Sequence, residues 1–264
     1  MPDIFEFGII GMGPAGIGMA MSLCRTSINN IKNTICFERG SYPGGKICSA
    51  FLKNECCHSN ICTVISGIGG ASTLSSGKIS NFPAGSGLVE FFDSEQQLKE
   101  LLNEIILFLS NKIALKKVEI DSKIKRDAQE FYEHRHIKYK YYDVYEFDGK
   151  DYRNFIQETI QELKDKGLHI FDNSEVIDVN RDPSDLYFCV KAKTPNGERV
   201  FLIRNLILAT GALDIQDRLI EKIIGSVKNQ YEIGVRIEAP ASAFGNILST
   251  HGDLKLKCGS GRTY

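Results

Sequence analysis

Gly11-Met12-Gly13-Pro14-Ala15-Gly16 constrains this chain more than any other segment, because of what stands on either side of it. Ile4-Phe5-Glu6-Phe7-Gly8-Ile9-Ile10 reads as a buried strand that runs straight into the glycines, and Ile17 to Leu23 continues as an apolar helix. Strand, glycine turn and helix, in that order, are what a dinucleotide-binding turn requires. Gly11 permits the tight turn, Gly13 lets a pyrophosphate approach the backbone, and Gly16 lets helix and strand pack closely. The free N–H groups and positive dipole end of the helix then face the phosphates. A second strand, Asn33 to Phe37, ends in Glu38, roughly 20 residues after the turn, where an acid accepts ribose hydroxyls and repels a 2′-phosphate. In an ordinary βαβ unit the same glutamate is merely solvated.

The sequence returns to this pattern after a long excursion. Tyr152, Phe155, Ile156, Thr159, Ile160 and Leu163 recur with helical spacing, and Gly167 stops the helix. A strand at Leu168 to Phe171 follows, then Glu175 to Val179, Leu186 to Lys193 and Arg199 to Ile203, with Thr194-Pro195-Asn196-Gly197 as a hairpin turn. Asn205 to Leu208 then runs into Ala209-Thr210-Gly211. In the excursion, Ser94 and Gln97 form a capping box ahead of a helix whose Leu98, Leu101, Leu102, Ile105 and Phe108 share one face. A further helix is expected over Ile215 to Ile224, stopped by Gly225, and a strand over Tyr231 to Ile237.

The chain has 264 residues, enough for one large domain or two modest ones. Its net charge of −1 gives no electrostatic footprint for nucleic acid or an anionic membrane. The basic stretch from Lys112 to Lys140 also carries Glu119, Asp121, Asp127, Glu130 and Glu133, and reads as a solvated mixed face. The apolar run from Phe7 to Leu23 is flanked by Asp3 and Glu6 and broken by glycines, unlike an export signal, and no run is long enough to span a bilayer. A cytoplasmic location is the expectation. Of eight cysteines, Cys48, Cys56, Cys57 and Cys62 cluster around His58. They could supply soft ligands for zinc or an iron–sulfur centre, a redox disulfide, or inert loop thiols. The spacing is not a paired CxxC, so no metal site is assigned.

Four segments taken together carry a resemblance: the glycine turn, Phe37-Glu38-Arg39-Gly40, Pro43-Gly44-Gly45-Lys46, and Leu208-Ala209-Thr210-Gly211. They resemble the FAD-binding domain of glutathione-reductase-type oxidoreductases. Pro14-Ala15 within the turn, Gly44-Gly45 after Glu38 and the late Ala-Thr-Gly favour FAD over NAD alone. The resemblance implies FAD contacts at Gly11, Gly13, Pro14, Ala15 and Gly16 in the turn. It implies further contacts at Glu38, Arg39, Gly44, Gly45 and Lys46, at Gly70, and at Ala209, Thr210 and Gly211, with the Val176 backbone facing the adenine.

Cys62 to Ala71, continuing through Ser75-Ser76-Gly77-Lys78, is similar to a bacterial family of uncharacterised FAD-dependent dehydrogenases. So are the cysteine cluster, Gly234 to Pro240, Asp253 to Leu256 and Gly261 to Tyr264. Ser76 stands where that family usually carries an aspartate, so no catalytic residue is carried over there. Lys78 is placed near the isoalloxazine by the resemblance alone, and His134 and His136 read either as carboxylate contacts or as solvated loop residues. The family continues beyond the segment on which this sequence stops, and Gly252-Asp253 aligns better elsewhere than with that fold's final pyrophosphate contact. The expectation is therefore a C-terminally truncated member, with weak flavin retention and an exposed strand edge that favours self-association or a missing partner segment.

The expected fold is α/β. A Rossmann-like FAD-binding domain of parallel sheet plus β-meander spans 1–80 and 149–225, with an inserted, incomplete substrate domain over 81–148 and 226–264. The expected activity is that of an FAD-dependent oxidoreductase or dehydrogenase that exchanges a hydride at flavin N5 with a small organic substrate. No second GxGxxG is present, so an electron-transfer protein or a transiently bound nicotinamide nucleotide completes the redox pair. Neither nucleic acid nor membrane is expected as a partner. Two other classes compete. One is a thiazole-synthase-like enzyme that binds an adenine dinucleotide, which Pro43-Gly44-Gly45 resembles and Cys62 to Lys78 does not. The other is a non-catalytic nucleotide-binding remnant. No paired-carboxylate or histidine constellation is anchored by a motif, so no catalytic residue is assigned.

Overall fold

The computed structural model describes residues 3–45, 48–53, 55–56, 58, 61–74, 77–183, 186–211, 240–244 and 256–258. The chain divides into two compact units, Met1–Ser76 with Gly149–Lys228, and Gly77–Asp148 with Asn229–Tyr264. The helix expected over Ile215 to Ile224 and the strand over Tyr231 to Ile237 lie outside the described residues, as do Ser75, Ser76 and Gly252-Asp253.

The first unit is α/β. Its N-terminal part runs β1 (Asp3–Ile10), α1 (Pro14–Thr26), α2 (Ile28–Lys32), β2 (Thr34–Phe37) and α3 (Ser49–Lys53). Its second part runs α6 (Gly149–Asp165), β7 (His169–Phe171), β8 (Glu175–Arg181), β9 (Phe188–Thr194) and β10 (Gly197–Leu208). These strands form one six-stranded sheet in the order β7-β2-β1-β10-β9-β8. The pairs β7-β2, β2-β1 and β1-β10 are parallel, whereas β10, β9 and β8 form an antiparallel meander.

Alternation along the strands decides what each face meets. Ile10, Ile35, Phe37, Val176, Val179, Val190, Ala192, Phe201 and Ile203 build one buried cluster. Its centre is aromatic: the Phe37 and Phe201 rings meet nearly edge to face at 5.1 Å, and Phe171 and Phe201 at 5.4 Å. Every apolar position of the α6 stripe is buried. That helix ends in a Schellman motif. The N–H of Leu168 donates to Leu163 O at 3.0 Å, the N–H of Gly167 donates to Lys164 O at 2.8 Å, and Gly167 takes the required φ of +104°.

One strand differs from its expected form. Arg199 to Ile203 and Asn205 to Leu208 read as separate segments, yet β10 is continuous over twelve residues. Residues 197–203 pair with β9 while residues 201–208 pair with β1, so one strand belongs to meander and parallel sheet at once. Arg204 does not break it, because its side chain is turned outward, 3.5 Å from Glu6.

In the second unit, β3 (Gly77–Ser80), β6 (Val144–Phe147) and β4 (Lys116–Lys117) form a three-stranded antiparallel sheet. β5 (Ile137–Tyr139) pairs with β11 (Leu256–Cys258), and α7 (Ala241–Phe244) is a single turn. Two longer helices carry side-chain N-caps. Ser94 Oγ accepts the Gln97 N–H ahead of α4 (Glu95–Ser110), and Asp121 accepts the Lys123 and Ile124 N–H groups ahead of α5 (Ser122–Glu133). Among the described residues, no helix is long and apolar enough to cross a membrane.

Candidate functional site

The carboxyl ends of β1, β2 and β10 meet where the strand order reverses, with β2 on one side of β1 and β10 on the other. Open parallel sheets bind ligands at this crevice. A cavity of about 440 Å³ opens there, within the roughly 300–1,000 Å³ of small-molecule sites. Its walls come from the glycine turn, from Phe37 to Arg39, from Ile65 to Gly67 with Gly70, from Ser174 to Val176, and from Leu208 to Gly211.

The three glycines of the turn have distinct surroundings. Gly11 has φ of +96°, and a Cβ there would lie 2.4 Å from Ala209 O. A Cβ on Gly16 would lie 2.0 Å from Gly11 O, so the turn and the first coil of α1 close only over hydrogen. At Gly13 a Cβ would meet nothing within 4 Å. That glycine opens into the cavity instead of packing against protein. α1 begins at Pro14 with no side-chain cap and no acid in its own first turn.

Glu38 is buried, with 6% of its surface exposed. Its Oε1 accepts the N–H of Gly40 and the N–H of Gly67, both at 2.9 Å, and its Oε2 accepts the Met12 N–H at 2.9 Å. A carboxylate offers about four acceptor positions, so three are filled by peptide groups and one remains, on Oε2. Beside it, Arg39 Nε donates to Ser66 Oγ at 3.1 Å. On the far wall the Ala209 N–H donates to Ile10 O at 2.8 Å, which fixes the Ala-Thr-Gly segment against β1. The hydroxyl of Thr210 is buried and has no hydrogen-bond partner among the described residues. An orphan of this kind calls for a partner that the described residues do not supply.

The structure thus brings Gly11, Gly13, Pro14, Ala15, Glu38, Arg39, Gly70, Val176, Ala209, Thr210 and Gly211 to one cavity. Gly16 lies behind the turn. Gly44 and Gly45 form a 3-10 turn next to α6, where a Cβ on Gly44 would be 3.1 Å from Gln157 Nε2, and they are not cavity walls. Lys46 lies outside the described residues. Ile65, Ser66, Gly67, Ser174 and Glu175 line the cavity without having been singled out as contacts. Gly67, Gly69 and Gly70 are a sequence signal for the first three, and Ser174 and Glu175 carry none.

The remaining candidates are not among the residues that line the cavity. In the second unit, Lys78 lies on β3, 3.7 Å from Glu146, His134 caps the end of α5, and His136 occupies a left-handed turn. Cys48, Cys56 and Cys62 are free thiols, and Cys57 lies outside the described residues. Among the described residues, no group of three histidine, cysteine or acidic side chains is placed to hold a metal ion.

No protein-family model and no curated protein matches the chain. Solved structures are similar to it at low identity. p-Nitrophenol 4-monooxygenase from Pseudomonas putida DLL-E4 is 13% identical, with 82% of this chain and 43% of that one covered and a TM-score of 0.42. Glycine oxidase from Geobacillus kaustophilus is 15% identical over 84% and 58%, with a TM-score of 0.44. Ornithine N-hydroxylase from Kutzneria sp. 744 is 15% identical over 79% and 37%, with a TM-score of 0.39. The chain spans less than two thirds of the length of each.

Proposed function

We propose that this chain binds FAD in the cavity at the ends of β1, β2 and β10, and that it serves an FAD-dependent oxidoreductase acting on a small organic substrate. One observation carries the reading. Segments far apart in sequence, the glycine turn, Glu38, Val176 and Ala209 to Gly211, meet around one crevice whose wall holds an open glycine and an orphaned hydroxyl.

The residues fit such a group. Gly13 and the N-terminus of α1 would take the diphosphate, the free position on Glu38 Oε2 a ribose hydroxyl, and the Thr210 hydroxyl an acceptor of the cofactor. The Val176 backbone would face the adenine. When bound, FAD supplies a ring that exchanges a hydride with the substrate, and a nicotinamide nucleotide or an electron-transfer protein completes the redox pair. The chain's own share is to bind and orient. Ile10, Phe37, Ile65, Val176 and Leu208 give the cavity apolar walls that keep water away from the nucleotide, while Gly13 and α1 balance its charge.

The test is a visible absorption titration of the purified chain with FAD, followed by dithionite. Bound-flavin bands that shift on addition and bleach on reduction are the expected result. Failure to bind FAD at saturating concentration would reject the reading. A colourless adenine nucleotide released on heating would favour the thiazole-synthase-like alternative.

A further inference from the structure

α4 carries more apolar surface than its neighbours cover. Leu98 is buried and Leu102, Ile106 and Leu109 are half-buried, so one flank of the helix faces its own unit. Leu101 and Ile105, on the adjoining flank, are 39% and 42% exposed. The 3-10 segment Ser86–Phe91, which packs against α4, leaves Leu88 and Phe91 exposed as well. Leu101 and Ile105 lie one turn apart and in line with Ser94 and Lys112, so a single stripe runs the length of the helix. The stripe is charged at its ends. Asp93 precedes the cap and Lys112 follows the last turn, both are exposed, and neither has an ion-pair partner among the described residues.

Such a stripe is its own complement. Leu101 and Ile105 stand symmetrically about Asn103, and Asp93 and Lys112 have nearly the same midpoint. Two copies of α4 laid antiparallel about a two-fold axis at that point set Leu101 against the partner's Ile105, and Asp93 beside the partner's Lys112. A shallow crossing of about 20° keeps the charged ends in reach of each other, and the two helix dipoles run in opposite directions. Glu104 lies beside the stripe at the solvent edge, where a like charge on the partner costs little. We infer that α4 is a dimerisation surface and that its occupant is α4 of a second copy of this chain. Self-association, expected from the sequence at a strand edge, is thereby assigned to a helix face. The pairing needs no cofactor.

Sedimentation of the purified chain over a range of concentrations tests the pairing. The expected result is a dimer whose fraction rises with concentration. Leu101→Glu combined with Ile105→Glu should weaken association roughly a hundredfold or more, because the apolar contact is lost from both copies and like charges replace it. Both positions are exposed in the single chain, so its far-UV circular dichroism should be unchanged. The charged ends test the direction of the pairing. Asp93→Lys alone, or Lys112→Asp alone, should weaken the dimer roughly several-fold, and the two changes in one chain should restore it. A dimer indifferent to the paired glutamates would place the contact elsewhere and overturn the inference. Charge exchanges that change nothing, or that fail to restore the dimer when combined, would overturn the antiparallel arrangement. A chain that stays monomeric at every concentration refutes the pairing outright, and a loss of thermal stability in the glutamate variant would then mean that another segment of the same chain covers α4.

Discussion

At the scale of single residues, the two glycines that flank Pro14 and Ala15 separate folding from binding. Gly13 has an ordinary negative φ and open space where a Cβ would stand. Gly13→Ala should leave thermal stability within a few degrees of wild type and weaken ADP or FAD binding about tenfold or more, because the added methyl occupies the ligand's path. Gly16→Ala should do the reverse first. Its Cβ collides with a backbone oxygen, and overpacking of this kind costs about 1–3 kcal/mol. Urea unfolding and nucleotide titration of both variants check the contrast, and equal stability of the two would contradict it. The open space at Gly13 and the crowding at Gly16 were legible in the sequence because they depend on neighbours within one turn. The surroundings of Glu38 were not. Its position at the end of β2 announced an acid facing a ribose, but the Gly67 N–H that shares its Oε1 is 29 residues away and belongs to a loop without periodicity.

At the scale of elements, spacing located helices well and burial less well. The α6 stripe is buried along its whole length, whereas in α4 only Leu98 is fully buried and Leu101 and Ile105 are 39% and 42% exposed. Periodicity reports that a helix has an apolar face, while tertiary neighbours decide whether the face is covered. α4 therefore relies on its cap. Ser94 Oγ accepts the Gln97 N–H at 3.2 Å, and Gln97 Oε1 in turn accepts the Asp93 N–H at 3.0 Å, one residue earlier than the usual capping box. Ser94→Ala should cost about 1 kcal/mol and speed amide exchange in the first turn of α4. Unchanged exchange there would mean that packing, not the cap, holds the helix. The split of β10 into two segments has a similar origin. Arg204 interrupts the apolar run, yet a strand tolerates a polar residue wherever its side chain points outward.

At the scale of the whole molecule, buried phenols set an alkaline limit on stability. Burial pushes Tyr152 up to about 12, and burial, aided by Tyr141 and Tyr132, does the same for Tyr139. In the unfolded chain a tyrosine releases its proton near pH 10. Stability from these groups is fully present below about pH 10 and falls as pH rises towards 12, because the unfolded state has lost protons that the folded state still holds. Tyr152 alone accounts for a loss of about 2–3 kcal/mol by pH 12, and the more exposed Tyr139 for less. Urea unfolding between pH 8 and 12 should show a decline that is shallower in Tyr152→Phe. A decline of equal slope in that variant would assign the effect to other groups.

The double pairing of β10 also bears on how the chain is made. β1 begins at Asp3, and its partner there is Phe201, so the central pair of the sheet joins two strands whose paired residues lie 198 positions apart. At about 5–20 residues per second, β1 leaves the ribosome roughly 10–40 s before that partner exists. Pairing with β2 protects only one of its edges during that interval. Until Leu208 has emerged, the other edge of β1 stands open to wrong contacts, the exposure that any pairing so distant in sequence brings with it.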